Sequence, residues 1–294
     1  MKLRNLLPLA CGMAVVLGFS ASAQLFRDQM KDGTGWGVNA NSTDYLYTFN
    51  YDYSANGVPE APNSLGGDDA TRGVKLEANL TTGTGQFFTL YPLGQNFTGS
   101  YQLRFDAWMN YAGSATTEFM GGGIGYDNVT ADVASGAQFI VTGDGGSASD
   151  WRALKDGFYV ATGASYPAGS LNNTATYYAD FLPSVNGSIA GAPGFQWITW
   201  EFNVAGNEVS IYIEKPNTDR LLLISYDKTT PNVATTDGNI SLFYADFFTS
   251  LSDSPASQFG LVDNVIVTAI PEPTSVALVL LGGLGMFLMV RRRN

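Results

Sequence analysis

Apolar residues recur at every second position through most of the chain. "DYLYTFNYDYS" places Tyr45, Tyr47, Phe49, Tyr51 and Tyr53 on one face, the period of a strand. "YQLRFDAWMNY" sets Tyr101, Leu103, Phe105, Ala107 and Met109 against Arg104, Asp106 and Asn110. "FQWITWEFNVAGNEVSIYIEK" reads as a hairpin: Ile198, Trp200, Phe202 and Val204 go out, "AGNE" turns, and Val209, Ile211 and Ile213 return. "RLLLISYD" and "FGLVDNVIVTAI" add further strands, and "QLFRDQMKDG" is read as a short helix before the first of them. Short strands separated by Gly, Asn, Asp and Pro, with little helical periodicity, predict an all-β sandwich over residues 24–270.

The two ends break this pattern. In "MKLRNLLPLACGMAVVLGFSASAQ", Lys2 and Arg4 precede an apolar run, and Ala21-Ser22-Ala23 forms a small-x-small site that leaves Gln24 as the new N-terminus. Residues 1–23 are therefore read as a secretory signal peptide, handled by the Sec translocon and signal peptidase. At the other end, Thr274 to Val290 carries no charge and is just long enough to span a bilayer. Arg291, Arg292 and Arg293 follow it and set the cytoplasmic side. Pro271-Glu272-Pro273 stands immediately before the span and is held extended by its prolines.

Residues 271–294, with Pro-Glu-Pro, a short transmembrane helix and an Arg-rich end in that order, resemble the PEP-CTERM sorting signal of exported bacterial proteins. The resemblance implies an exosortase as processing partner, transient residence in the inner membrane, and delivery to the cell surface or extracellular matrix. The simpler alternative is a permanent single-pass anchor. In the middle region, Trp197-x-x-Trp200-x-Phe202 and the closing "FGLVDNVIV" resemble jelly-roll domains of the concanavalin-like and laminin-G-like kind. "NYDYSANGVPEAPNS", "LRFDAWMN" and "SQFGLVDNVIV" together resemble exported bacterial proteins of unassigned role that carry the same tail.

Charge and composition narrow the chemistry. The chain has 294 residues, net charge −11, 34 glycines, one cysteine and no histidine. Five of its 15 basic residues lie in the two end segments, so the middle is more acidic than the whole. Nucleic acid is excluded as a partner on that ground. Without histidine there is no Ser-His or Cys-His catalysis and no His-ligated metal. Cys11, within the apolar leader, leaves the mature domain without a thiol.

Three kinds of site remain. Glu201 and Glu214 fall on neighbouring strands of the hairpin, but no Glu-x-Asp-x-x-Glu run of the laminarinase type occurs, and they read as solvent-side residues; no enzyme is expected. Asp144 and Asp150 flank a Gly-rich turn, and Asp263 lies in the last strand, where the jelly-roll resemblance implies a ligand to a structural Ca2+. Trp108, Trp197 and Trp151 are the candidate glycan contacts, weighed against plain core packing. The function expected from this reading is structural or adhesive, at the cell surface or in the extracellular matrix, with extracellular polysaccharide as a partner. A glycan-binding module is the alternative, and a polysaccharide-active enzyme the second.

Overall fold

The period-two segments pair into two antiparallel sheets, in a computed structural model that describes residues 22–110, 118–143, 148–160, 170–216, 220–229, 234–248, 251 and 255–271. Sheet A runs β13 (Arg220–Asp227), β12 (Glu208–Glu214), β11 (Trp197–Ala205), β6 (Tyr101–Asn110), β15 (Phe259–Ala269), β4 (Arg72–Ala78), β3 (Tyr45–Asp52). Sheet B runs β10 (Phe158–Tyr159), β9 (Trp151–Lys155), β8 (Ala137–Thr142), β7 (Glu118–Tyr126), β14 (Asn239–Asp246), β5 (Gln86–Pro92), β2 (Trp36–Ala40). From β4 to β7 the chain crosses between sheets at every connection. The last two strands then insert between strands already laid down, β14 between β7 and β5, β15 between β6 and β4. This is the wrapped path of a jelly-roll sandwich.

The inner faces meet in one core. Phe105 lies stacked near both Trp200 and Phe202, with ring centroids 6.3 and 6.2 Å away, and Trp151 stacks on Tyr178 at 4.4 Å. The alternation read in β6 and in the β11–β12 hairpin is the alternation observed: their apolar sets are buried in this core. Fully burying one such side chain stabilises the fold by roughly 1.5–3 kcal/mol, so the sandwich rests mainly on these rows.

Two expectations change. "QLFRD" is not helical but forms β1 (Gln24–Asp28), which adds to sheet A beside β15. Phe26 turns inward against Trp36 and Phe97, while Leu25 and Arg27 are exposed, a period of two that suits a strand. The aromatic stripe of β3 is also not on one face. Asn50 takes φ 58°, and the register with β4 slips between Thr48 and Tyr51. This bulge reverses the parity. Tyr45, Tyr47 and Phe49 therefore join the main core, while Tyr51 and Tyr53 join a smaller cluster.

That cluster lies on the outer face of sheet A and contains Tyr53, Val58, Ala61, Trp108, Trp197, Phe259 and Leu261. The segment from Tyr53 to Asn63 forms a strap across it. Its Pro59 carbonyl accepts a hydrogen bond from Trp197 Nε1 at 2.8 Å.

β7 carries Gly121, Gly122 and Gly123 between two neighbouring strands. A Cβ on Gly121 would lie 2.0 Å from the Phe139 carbonyl oxygen of β8, so backbone rather than a side chain would have to move. Gly121→Ala is expected to destabilise the domain by about 2 kcal/mol or more. A urea unfolding midpoint equal to that of the unaltered protein would contradict this packing.

Candidate functional site

Across the outer face of sheet A the side chains form matched rows, because β6 and β11 pair in register. Trp108 faces Trp197, Asp106 faces Thr199, Arg104 faces Glu201, and Gln102 faces Asn203. The face thus grades from apolar to polar along the strands. The strap covers the tryptophan end and stops at the Asp106 row.

Asp106 is fully buried. Its Oδ1 accepts from Asn63 Nδ2 and Thr199 Oγ1, both at 2.6 Å. Its Oδ2 accepts from the Asn63 backbone N–H at 3.0 Å and from Asn264 Nδ2 at 2.9 Å. One carboxylate therefore fixes the end of the strap, a residue of β11 and a residue of β15. Burial nevertheless raises its pKa above the ordinary carboxylate value, against the pull of these donors.

Asn264 reaches this point through a second bulge. It takes φ 54°, and the β15–β6 register slips between Asp263 and Ile266. Up to Val262 the free edge of β15 pairs with β4; from Val265 onward it pairs with β1. The extra residue at this change of partner puts Asp263 and Asn264 side by side next to Asp106. Asp263 accepts from Tyr53 Oη at 3.0 Å and from the Asn264 N–H at 2.7 Å. Burial, aided by the neighbouring Asp106, pushes its pKa up to about 7.

A cleft of about 240 Å3 opens beside this hub, lined by Arg27, Asn63, Arg104, Thr199, Asn264 and Ile266. Arg27 on β1 and Arg104 on β6 both stand opposite Ile266, one on either side of β15. Arg104 is held by Glu214 at 2.7 Å and Glu201 at 3.7 Å, and Arg220 also pairs with Glu201. Both glutamates are thus tied into an ion-pair network.

The residues singled out in the sequence lie elsewhere or are enclosed. Trp151 is fully buried in the main core, and Trp108 and Trp197 are 7% and 3% exposed beneath the strap. None offers a ring face to a glycan, which corrects that expectation: the sandwich buries Trp151 directly, and the strap seals the other two. For calcium, Asp263 lies beside the Tyr53 hydroxyl, which also reaches the Ala70 carbonyl, and the Asn264 N–H, and Asp150 is buried and accepts from the Asn173 N–H at 3.0 Å. No group of three or more His, Cys, Asp or Glu converges among the described residues. Asp144 lies outside the described residues, as do Ala21, Glu272, Pro273 and Arg291–Arg293. Ala23 accepts a hydrogen bond from the Ala269 N–H at 2.8 Å, Gln24 opens β1, and Pro271 follows the end of β15. No helix among the described residues is long and apolar enough to cross a membrane.

The cleft residues Arg27, Asn63, Arg104, Thr199 and Asn264 were not expected as a site. The one visible signal was the break in alternation at "VDNVIV".

No family model matches the chain, the C-terminal sorting-signal segment included, and no curated protein matches it. Among solved structures, the chain is similar to a protein of unknown function, SO2946 from Shewanella oneidensis MR-1, at 8% identity and TM-score 0.46, covering 83% of this chain and 84% of that one. It is similar to the exoplasmic/lumenal domain of VIP36 in a Ca2+/Man3GlcNAc-bound form, at 9% identity and TM-score 0.43, covering 82% and 85%. It is also similar to the carbohydrate-binding module CBM66 from Bacillus subtilis, at 10% identity and TM-score 0.37, covering 78% and 98%.

Asp263 gives the site a pH signature. An unfolded Asp releases its proton near pH 3.9, whereas the folded one retains it to about 7. The folded state therefore binds more protons between these values. This contribution is fully present below pH 4 and is lost as pH rises to 7. Asp263→Asn is expected to flatten that decline and to stabilise the protein at pH 8 by on the order of 3 kcal/mol. Parallel melting curves for the two proteins from pH 4 to 8 would show that Asp263 ionises normally.

Proposed function

We propose that the domain is a non-catalytic carbohydrate-binding module, and that the cleft on sheet A is where the sugar sits. One observation carries this reading. Asn264 is 5% exposed and lines the cleft, and its Nδ2 is fixed on Asp106. Its Oδ1 accepts no hydrogen bond from a described residue. A preset acceptor at the wall of a small polar cleft suits a ligand rich in hydroxyl donors. At about 240 Å3 the cleft is smaller than the roughly 300–1,000 Å3 of drug-sized pockets, a size for one sugar ring. The nearby carboxylates favour binding over catalysis. Asp106 is saturated by donors, and Glu201 and Glu214 are paired to arginine.

Isothermal titration of the ectodomain against a panel of oligosaccharides tests the reading. Asn264→Gly keeps the left-handed backbone conformation and removes the amide. It is expected to weaken binding about tenfold or more, through loss of the ligand acceptor together with one of the donors to Asp106. Reducing-sugar release from the bound oligosaccharide would replace the binding module with an enzyme.

The module is proposed to work outside the cell, exported by the Sec route and sorted through residues 271–294. Cleavage after Ala23 would leave β1 whole, because that strand opens at Gln24, at the expense of the single Ala23–Ala269 hydrogen bond. N-terminal sequencing of the mature protein should find Gln24. Replacing Pro271, Glu272 and Pro273 with alanine should leave an uncut, membrane-held protein. Equal mass for wild type and triple variant would instead make the tail a permanent anchor.

A further inference from the structure

Arg27 and Arg104 flank the same apolar side chain, Ile266, across β15. With neighbouring strands about 4.8 Å apart, their backbones stand roughly 10 Å from each other over the cleft. Their commitments differ. Arg104 is held by Glu201 and Glu214. Arg27 is exposed and pairs with no carboxylate among the described residues. Asp28, its neighbour in sequence, is occupied elsewhere: it accepts from the Met30 N–H at 2.6 Å and from Trp36 Nε1 at 3.0 Å. Among the described residues the cleft therefore presents one unneutralised guanidinium, the amides of Asn63 and Asn264 with their Nδ2 groups fixed on Asp106, and an aliphatic floor, and no aromatic ring lines it.

We propose that the sugar recognised in this cleft carries a carboxylate, and that Arg27 is the residue that pairs with it. The inference rests on the carbohydrate reading above and names the class of sugar. A neutral sugar bound without stacking on an aromatic ring has only hydrogen bonds and one apolar contact to hold it. A uronic acid uses everything the cleft offers. Its C–H face lies on Ile266, its hydroxyls donate to Asn264 Oδ1, and its carboxylate meets Arg27, whose planar fork matches the two oxygens. The carboxyls nearest the cleft are already engaged, Asp106 by four donors and Glu201 and Glu214 by arginine, and acidic groups beyond about 10 Å are screened at ordinary ionic strength.

The test compares methyl β-D-glucuronide with methyl β-D-glucoside, which share a ring and differ in the C6 group, by ligand-detected NMR titration. The glucuronide is expected to bind about tenfold or more tightly, with the advantage shrinking as salt is raised. Arg27→Ala should bring the two affinities together by weakening the glucuronide and leave the melting temperature unaltered, since the Arg27 side chain makes no ion pair with a described residue. Equal affinities in the unaltered protein, or a preference that survives Arg27→Ala, would overturn the carboxylate assignment and leave the carbohydrate reading standing. Binding of neither glycoside would overturn both.

Discussion

The outer face of sheet A is organised by the burial of one carboxylate. Taking Asp106 out of water costs several kcal/mol even after relaxation, and only a full set of donors offsets it. Those donors come from three places far apart in the chain: Asn63, Thr199 and Asn264. The carboxylate cannot be satisfied unless the strap, the hairpin and the last strand are all docked. The same bonds fix three of the residues that line the cleft, so its shape is set by the folding of this face.

A gradient along paired strands explains why the cleft opens where it does. The Trp108–Trp197 row is too apolar to face water, and the strap covers it with Tyr53, Val58 and Ala61. The Arg104–Glu201 row is charged: Glu201, read from the sequence as a solvent-side residue, is buried, and it is neutralised by the partly exposed Arg104 and Arg220 rather than by cover from the strap. The Asp106–Thr199 row lies at the boundary, where the strap ends. A cleft forms at that step because one side of it is built up by the strap and the other is bare sheet.

The sandwich was legible in the sequence because the alternating apolar residues read in β6 and the β11–β12 hairpin all enter the core between the sheets, even though β11 is buried on its other face as well. Two asparagines hid the rest. Asn50 and Asn264 adopt left-handed conformations that insert a residue and reverse parity, and nothing in local composition marks an asparagine as a bulge rather than a turn. The first moved Tyr51 and Tyr53 to the outer face. The second brought Asn264 against Asp106, a contact across 158 positions of sequence. The tryptophans drew attention as large amphipathic rings, yet burial of both sheet faces, one by the other sheet and one by the strap, enclosed them. Arg27 was obscured for a different reason: "QLFRD" is too short to reveal its period, and its strand character depends on the edge of β15 that β4 leaves free beyond Val262.

The position of the cleft on β15 has a mechanical consequence. Asn264 and Ile266 line it, and the same strand runs on to Ala269 before the chain departs at Pro271. Tension between a ligand held there and whatever lies beyond Pro271 would pass along one short stretch of backbone. That stretch is hydrogen-bonded to β6 on one side and to β1 on the other, so the strain is borne in shear by two flanking ladders. The aromatic core between the sheets lies off the line of force.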